Sequence, residues 1–188
     1  MGPAIERAVR ALRAGGLVVY PTDTLPGLAA RATSDRAVAR LDRLKGRPSG
    51  QPISVAVRSY SDLEALTELG PSGRRFVRMH LPGPYTILAR ASPLARRTLA
   101  PRVFSQNGTL GVRIPDHPVA RELAGRAGPI TATSANRHGR PPPRTVREAR
   151  RVFGSEVAVY LEASPAGTGA PSRLVDLTGG EPRPVERR

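Results

Sequence analysis

Apolar residues in this chain switch repeatedly between the three-to-four-residue spacing of an amphipathic helix and short β-branched runs. That alternation confines the fold to α/β architectures. Ile5, Val9 and Leu12 recur at helical spacing until Gly15-Gly16 stops them, and Leu17 to Tyr20 follows as a buried strand. A second helix is expected from an N-cap at Ser34 through Ala37, Val38, Leu41 and Leu44, with Gly46 as its left-handed stop and Pro48 beyond. Further strands are expected over 53–57, 85–89, 110–113, 129–133, 157–161 and 174–177. Further helices are expected from a Ser61-x-x-Glu64 capping box to Leu69, over 72–80, over 119–127, and from a Thr145-x-x-Glu148 box to Phe153. Residues 91–108 read as loop and short helix, 164–172 as a mobile Gly/Pro/Ala/Ser loop, and the polar stretch 179–188 as a tail free to fray. Internal repeats and linker-like shifts in composition are absent. One α/β domain over 1–188, with a twisted mixed β-sheet flanked by helices, is therefore the expected architecture.

At 188 residues the chain is long enough to bury a full core without staples. It has no cysteine, which excludes disulfide frameworks, thiolate metal sites, iron–sulfur clusters and cysteine nucleophiles. No apolar run approaches the about 18 residues of a membrane span, and MGPAIERAVRALRAGG lacks a signal peptide's apolar stretch. A soluble, cytoplasmic protein with no membrane partner is expected. The usual signatures of zincins, P-loop NTPases, Rossmann dinucleotide binders and serine hydrolases are missing. His80, His117 and His138 are not spaced as ligands, so no protein metal site is expected.

Charge narrows the partners. A net +15 favours polyanions such as nucleotides or RNA. Lys45 is the only lysine, leaving arginine at the other 29 basic positions. A codon or thermal bias accounts for the general pattern. The exception implies a position that needs a compact ammonium on a flexible stem, where a planar guanidinium cannot substitute. Residues 71–113 carry eight arginines and no acid, a broad positive block that is either an RNA-binding surface or an Arg-biased exterior.

Four polar loops separate the strands: PTDT at 21–24, KGR at 45–47, the run GTLGVR ending at Arg113, and TSAN at 133–136. Singly, each has an ordinary explanation. Ser and Thr cap and turn chains, and Lys45 with Arg47 complements a helix dipole.

Together and in this order they resemble the YrdC/Sua5 family of threonylcarbamoyl-AMP synthases. The resemblance covers almost the whole chain and rests on GGLVVYPTDTLPGL (15–28), LKGRP (44–48), LPGPYT (81–86), GVRIPDHP (111–118), ITATSANRHGRPP (130–142) and SRLVDLTG (172–179). The diagnostic Lys-x-Arg and Ser-x-Asn are present as Lys45/Arg47 and Ser134/Asn136. Relatives of the YciO type depart at the former. The resemblance implies the short single-domain form, with the sheet curled round a concave basic groove. It also implies a reaction in which L-threonine, bicarbonate and ATP give threonylcarbamoyl-AMP and pyrophosphate, the first step toward N6-threonylcarbamoyladenosine in tRNA.

On that carry-over, Lys45 and Arg47 serve the triphosphate, Thr109, Ser134 and Asn136 face the nucleotide, and Arg187 closes on it. Thr24, Arg113 and Ser172 hold threonine, with Arg113 a fork for its carboxylate. Mg2+ arrives with ATP, no tightly bound organic cofactor is implied, and the adenylate passes to a downstream threonylcarbamoyl-transferase complex. The sequence departs from the family pattern at three places. Thr24-Leu25-Pro26-Gly27-Leu28 replaces Thr-Val-Tyr-Gly-Leu, Ala56 stands where some members have histidine, and Ser172-Arg173 replaces Ser-Thr. Two other readings remain: a non-catalytic tRNA- or double-stranded-RNA-binding module using the basic groove, and a carbamoyl-transfer domain similar to that of hydrogenase maturation proteins.

Overall fold

Each change of hydrophobic period becomes a change of element in the computed structural model, which describes residues 2–48, 50–163 and 167–186. The order is α1 (Gly2–Arg13), β1 (Val18–Tyr20), β2 (Gly27–Ala29), α2 (Asp35–Lys45), β3 (Val55–Ala56), α3 (Tyr60–Leu66), β4 (Thr67–Glu68), α4 (Pro71–His80) and β5 (Tyr85–Ala91). It continues with α5 (Pro93–Thr98), β6 (Thr109–Arg113), α6 (Pro118–Ala127), β7 (Ile130–Thr131), β8 (Thr133–Ser134), α7 (Val146–Phe153), β9 (Val159–Tyr160), β10 (Arg173–Asp176) and β11 (Arg183–Val185). Ser34 caps α2 by accepting from Ala37 N, and Gly46 ends it at φ 66°, as the sequence requires.

The differences from the expected elements arise mainly where distant strands pair. The capping box that opens α3 is Ser59 with Asp62, two residues before the expected one, and the helix stops at Leu66 because Thr67–Glu68 pairs with β5. The expected strand at 129–133 is broken at Ala132, where the chain leaves one sheet for the other. Residues 183–185, inside the stretch read as a polar tail, pair antiparallel with β10. Of the glycine-rich loop, 164–166 lie outside the described residues; Thr168 N and Gly169 N donate to the carbonyls of Asp23 and Thr24.

The strands divide between two sheets. The smaller has the order β8-β2-β1-β9; the larger runs β11-β10-β5-β6-β3-β7, with β4 added on β5. In the smaller sheet, Val18 and Tyr20 pack with Ile5, Leu12, Val119 and Leu123 of α1 and α6. Leu17 and Val19 pack with Val38, Leu41, Ala149 and Phe153 of α2 and α7. Burial on both faces is why this segment is a continuous apolar run.

The larger sheet is different on its two sides. Ile87, Ala89, Leu110, Val112 and Val175 enter a core with Leu63, Leu66, Val77 and Ala95 from α3, α4 and α5. Their alternates, Leu88, Arg90, Thr109, Leu174 and Asp176, are half-buried or exposed. A single ladder thus joins a dry face to a polar one.

Gly27 has no room for a side chain, because a Cβ there would lie 2.6 Å from the ring of buried Tyr20. Gly27→Ala should therefore cost about 1–3 kcal/mol of unfolding free energy, measured by urea denaturation.

Candidate active site

Thr109, Gly111 and Arg113 are alternate residues of β6 and share its polar face. Parallel pairing of Val55 with Val112 and of Ala56 with Arg113 sets Ser54 beside Gly111, and a Cβ on Gly111 would sit 2.4 Å from Ser54 Oγ. The four-residue separation of Thr109 and Arg113 corresponds to about 13 Å along the strand. Two polar clusters lie toward the ends of this strand face.

The first cluster gathers at the end of α2. Lys45 Nζ is buried and donates to Ser134 O (2.5 Å), Asn136 O (2.6 Å) and Asn136 Oδ1 (3.4 Å). Ser134 Oγ donates to Asn136 Oδ1 at 2.6 Å, and Asn136 Nδ2 donates to the carbonyls of Arg137 and Arg140. Ala132 N donates to Ser54 O, which ties the chain leading into this loop to the start of β3 in the larger sheet. Arg47 Nη2 donates to Pro52 O at 3.0 Å, and its Nε lies 3.4 Å from Asp42 Oδ1. Pro52 precedes β3 on the Thr109 side of the parallel ladder, so Arg47 belongs to that end.

Burial and the neighbouring Arg47 push the Lys45 pKa down to about 7, against the opposing pull of Asp42. Burial likewise lowers Arg47, and it raises Asp42 despite the guanidinium of Arg47 beside it.

The second cluster is at the Arg113 end. Buried Arg113 donates from Nη2 to Asp23 Oδ1 (2.7 Å) and from Nη1 to Thr24 Oγ1 (3.0 Å). Thr22 Oγ1 is 3.0 Å from Thr24 Oγ1 and donates to Leu25 O, fixing the loop. Ser172 and Thr86 share a hydroxyl hydrogen bond of 2.8 Å, and Thr86 follows the Ile87–Val112 pair in register, opposite Arg113. Burial raises Tyr20, at the end of the strand leading into this loop, to about 12, although Arg113 pulls the other way.

The structure thus brings Lys45, Ser134 and Asn136 into direct contact, and Thr24 with Arg113. Ser172 joins the second group through Thr86. Thr109 is bonded to Ser105, hydroxyl to hydroxyl at 2.5 Å, at the start of β6. Arg187 lies outside the described residues. Three partners were not singled out in the sequence: Asp23, which holds Arg113; Asp42, which lies against Arg47; and Thr86. Asp23 and Thr86 sit within the PTDT and LPGPYT blocks, the only signal that marked them. Pro26 lines a cavity of about 400 Å³ with Pro21, Thr22, Arg144, Arg147 and Arg151. Buried Ala56 is the neighbour of Arg113 in the ladder.

This chain matches the Sua5_yciO_yrdC family, described as "Telomere recombination", over residues 10–188. It is 42% identical over 180 residues to a provisionally named threonylcarbamoyl-AMP synthase of Mycobacterium tuberculosis, covering 95% of this chain and 81% of that one. It is 38% identical over 176 residues to the threonylcarbamoyl-AMP synthase of Methylobacillus flagellatus, covering 92% and 95%. The crystal structure of P. abyssi Sua5 complexed with L-threonine superposes with a TM-score of 0.87 at 30% identity. That match covers 95% of this chain and 52% of the other, so this chain spans about half its length.

Arg113 and Asp23 are both largely buried, so removing one leaves the other's charge uncompensated. Asp23→Ala should lower unfolding free energy by about 3–5 kcal/mol in urea titrations, and the double variant Asp23→Ala/Arg113→Met should lose less than Asp23→Ala alone.

Proposed function

The chain belongs to the Sua5/YciO/YrdC family, and from that membership we propose that it is an L-threonylcarbamoyladenylate synthase. The observation that carries this reading is the placement of two polar clusters toward opposite ends of one strand face, one built round Arg113 and Thr24, the other round Ser134 and Asn136. Such a placement suits two substrates that must meet between the clusters.

In this reading L-threonine occupies the Thr24, Arg113 and Ser172 end. The Arg113 guanidinium, steadied by Asp23, supplies the positive charge for the amino-acid carboxylate. ATP lies toward Arg47, Thr109, Ser134 and Asn136, with Lys45 at the base of that cluster. The threonine amine takes up bicarbonate with loss of water to give an N-carboxylate. An oxygen of that carboxylate then attacks the α-phosphorus, forming the mixed anhydride and releasing pyrophosphate. Both partners are anions, so holding them together and neutralising their repulsion is most of the task.

Magnesium would come on the triphosphate and supply further charge neutralisation there. The hydroxyl and amide oxygens of Thr109, Ser134 and Asn136 are hard donors compatible with such an ion. Among the described residues no group of three or more His, Asp or Glu converges as a separate metal site. The adenylate is a reactive acyl donor, and in this reading a transferase acting on tRNA consumes it. Among the described residues no helix is long and apolar enough to cross a membrane.

Pyrophosphate release from Mg–ATP should require both threonine and bicarbonate, and Ser134→Ala should lower kcat/KM by about 100-fold. Release independent of threonine, or none at any threonine concentration, would remove this activity from the protein.

A further inference from the structure

The one lysine among 29 arginines stands where three oxygens converge on a single buried nitrogen. An ammonium has three N–H donors pointing to the corners of a pyramid, and each has an acceptor here: Ser134 O, Asn136 O and Asn136 Oδ1. A guanidinium presents its donors in one plane and fits oxygens lying side by side. The geometry explains why arginine does not serve at this position. It also leaves no lysine proton for a phosphate unless one of these bonds is broken.

The acceptors are informative too. Two carbonyls of one tight loop, at Ser134 and Asn136, point at the same spot, an arrangement that is repulsive and under-solvated without a cation between them. Other bonds knit the same two segments. His138 N donates to Lys45 O at 2.7 Å and Arg137 Nη1 donates to Leu44 O at 2.8 Å, while Ala135 N ties the loop separately to Pro26 O at 2.9 Å. The last turn of α2 and the 134–140 loop are therefore clasped in both directions.

We propose that Lys45 is a positioning residue, whose ammonium acts through the Ser134–Asn136 loop and holds it in its ligand-ready shape without itself touching the triphosphate. The link to catalysis rests on the reading that the nucleotide binds at this loop. The clasp itself is a property of the free protein.

Wild-type protein containing nitrogen-15-labelled lysine should show one ammonium signal in proton–nitrogen spectra at mildly acidic pH. With three acceptors sequestering its protons, the signal should be visible without ligand and barely move on adding Mg–ATP. In ligand-free Lys45→Met, the amides of Ala135, His138 and Arg140 should exchange with solvent at least about tenfold faster than in wild type. Lys45→Arg, which keeps the charge and loses the pyramid, should restore neither that protection nor pyrophosphate release.

The proposal is overturned by an ammonium signal that appears only with Mg–ATP, by unchanged loop protection in Lys45→Met, or by Lys45→Arg with wild-type turnover. The wild-type spectrum supports or overturns the clasp even if both variants fail to fold. These ligand-free measurements also stand apart from the synthase assay, so a wild type that makes no adenylate counts against the proposed reaction and not against the clasp.

Discussion

Burial of alternate residues on β5, β6 and β10 beneath α3, α4 and α5 is the constraint from which the site follows. Leu110 and Val112 must face the core, so Thr109, Gly111 and Arg113 must face the other way. A one-residue slip of β6 would bury a hydroxyl and a guanidinium in an oily layer and expose two large aliphatics. The hydrophobic effect thus sets the spacing of polar groups it never touches. Gly111 carries no side chain at the middle of this face, where any Cβ would run into Ser54.

The two clusters hold buried cations in different ways. Arg113 is matched by a carboxylate and a hydroxyl through its planar fork. Lys45 is surrounded mainly by neutral carbonyl oxygens, with its acidic neighbour Asp42 lying instead against Arg47 and Arg102. One end is therefore charge-paired, while at the other the ammonium is held by neutral oxygens. That asymmetry agrees with an amino acid at the first end and a polyanion at the second.

Much of this was legible in the sequence wherever the cause is local. Ser34 and Gly46 bracket α2 because a cap and a left-handed glycine act within a turn. Gly27–Ala29 shows no β propensity and is a strand only because Val18–Tyr20 and Thr133–Ser134 pair with it on either side. Near α3 two overlapping boxes competed, and tertiary pairing of Thr67–Glu68 with β5 favours the earlier start and stop. The grouping of Lys45 with Ser134 and Asn136 spans some ninety positions and leaves no local trace, so the family pattern supplied it. Asp23 and Thr86 show the limit of that route, since a residue that steadies a binding group looks, in one sequence, like any loop or strand residue.

The outer edge of the larger sheet ends in Arg183-Pro184-Val185, exposed and, among the described residues, paired to β10 alone. A strand that short, with a proline lacking an amide hydrogen at its centre and a charged residue beside it, is a poor template for another molecule's strand. As an edge, these residues offer few free amide hydrogens for another strand to pair with.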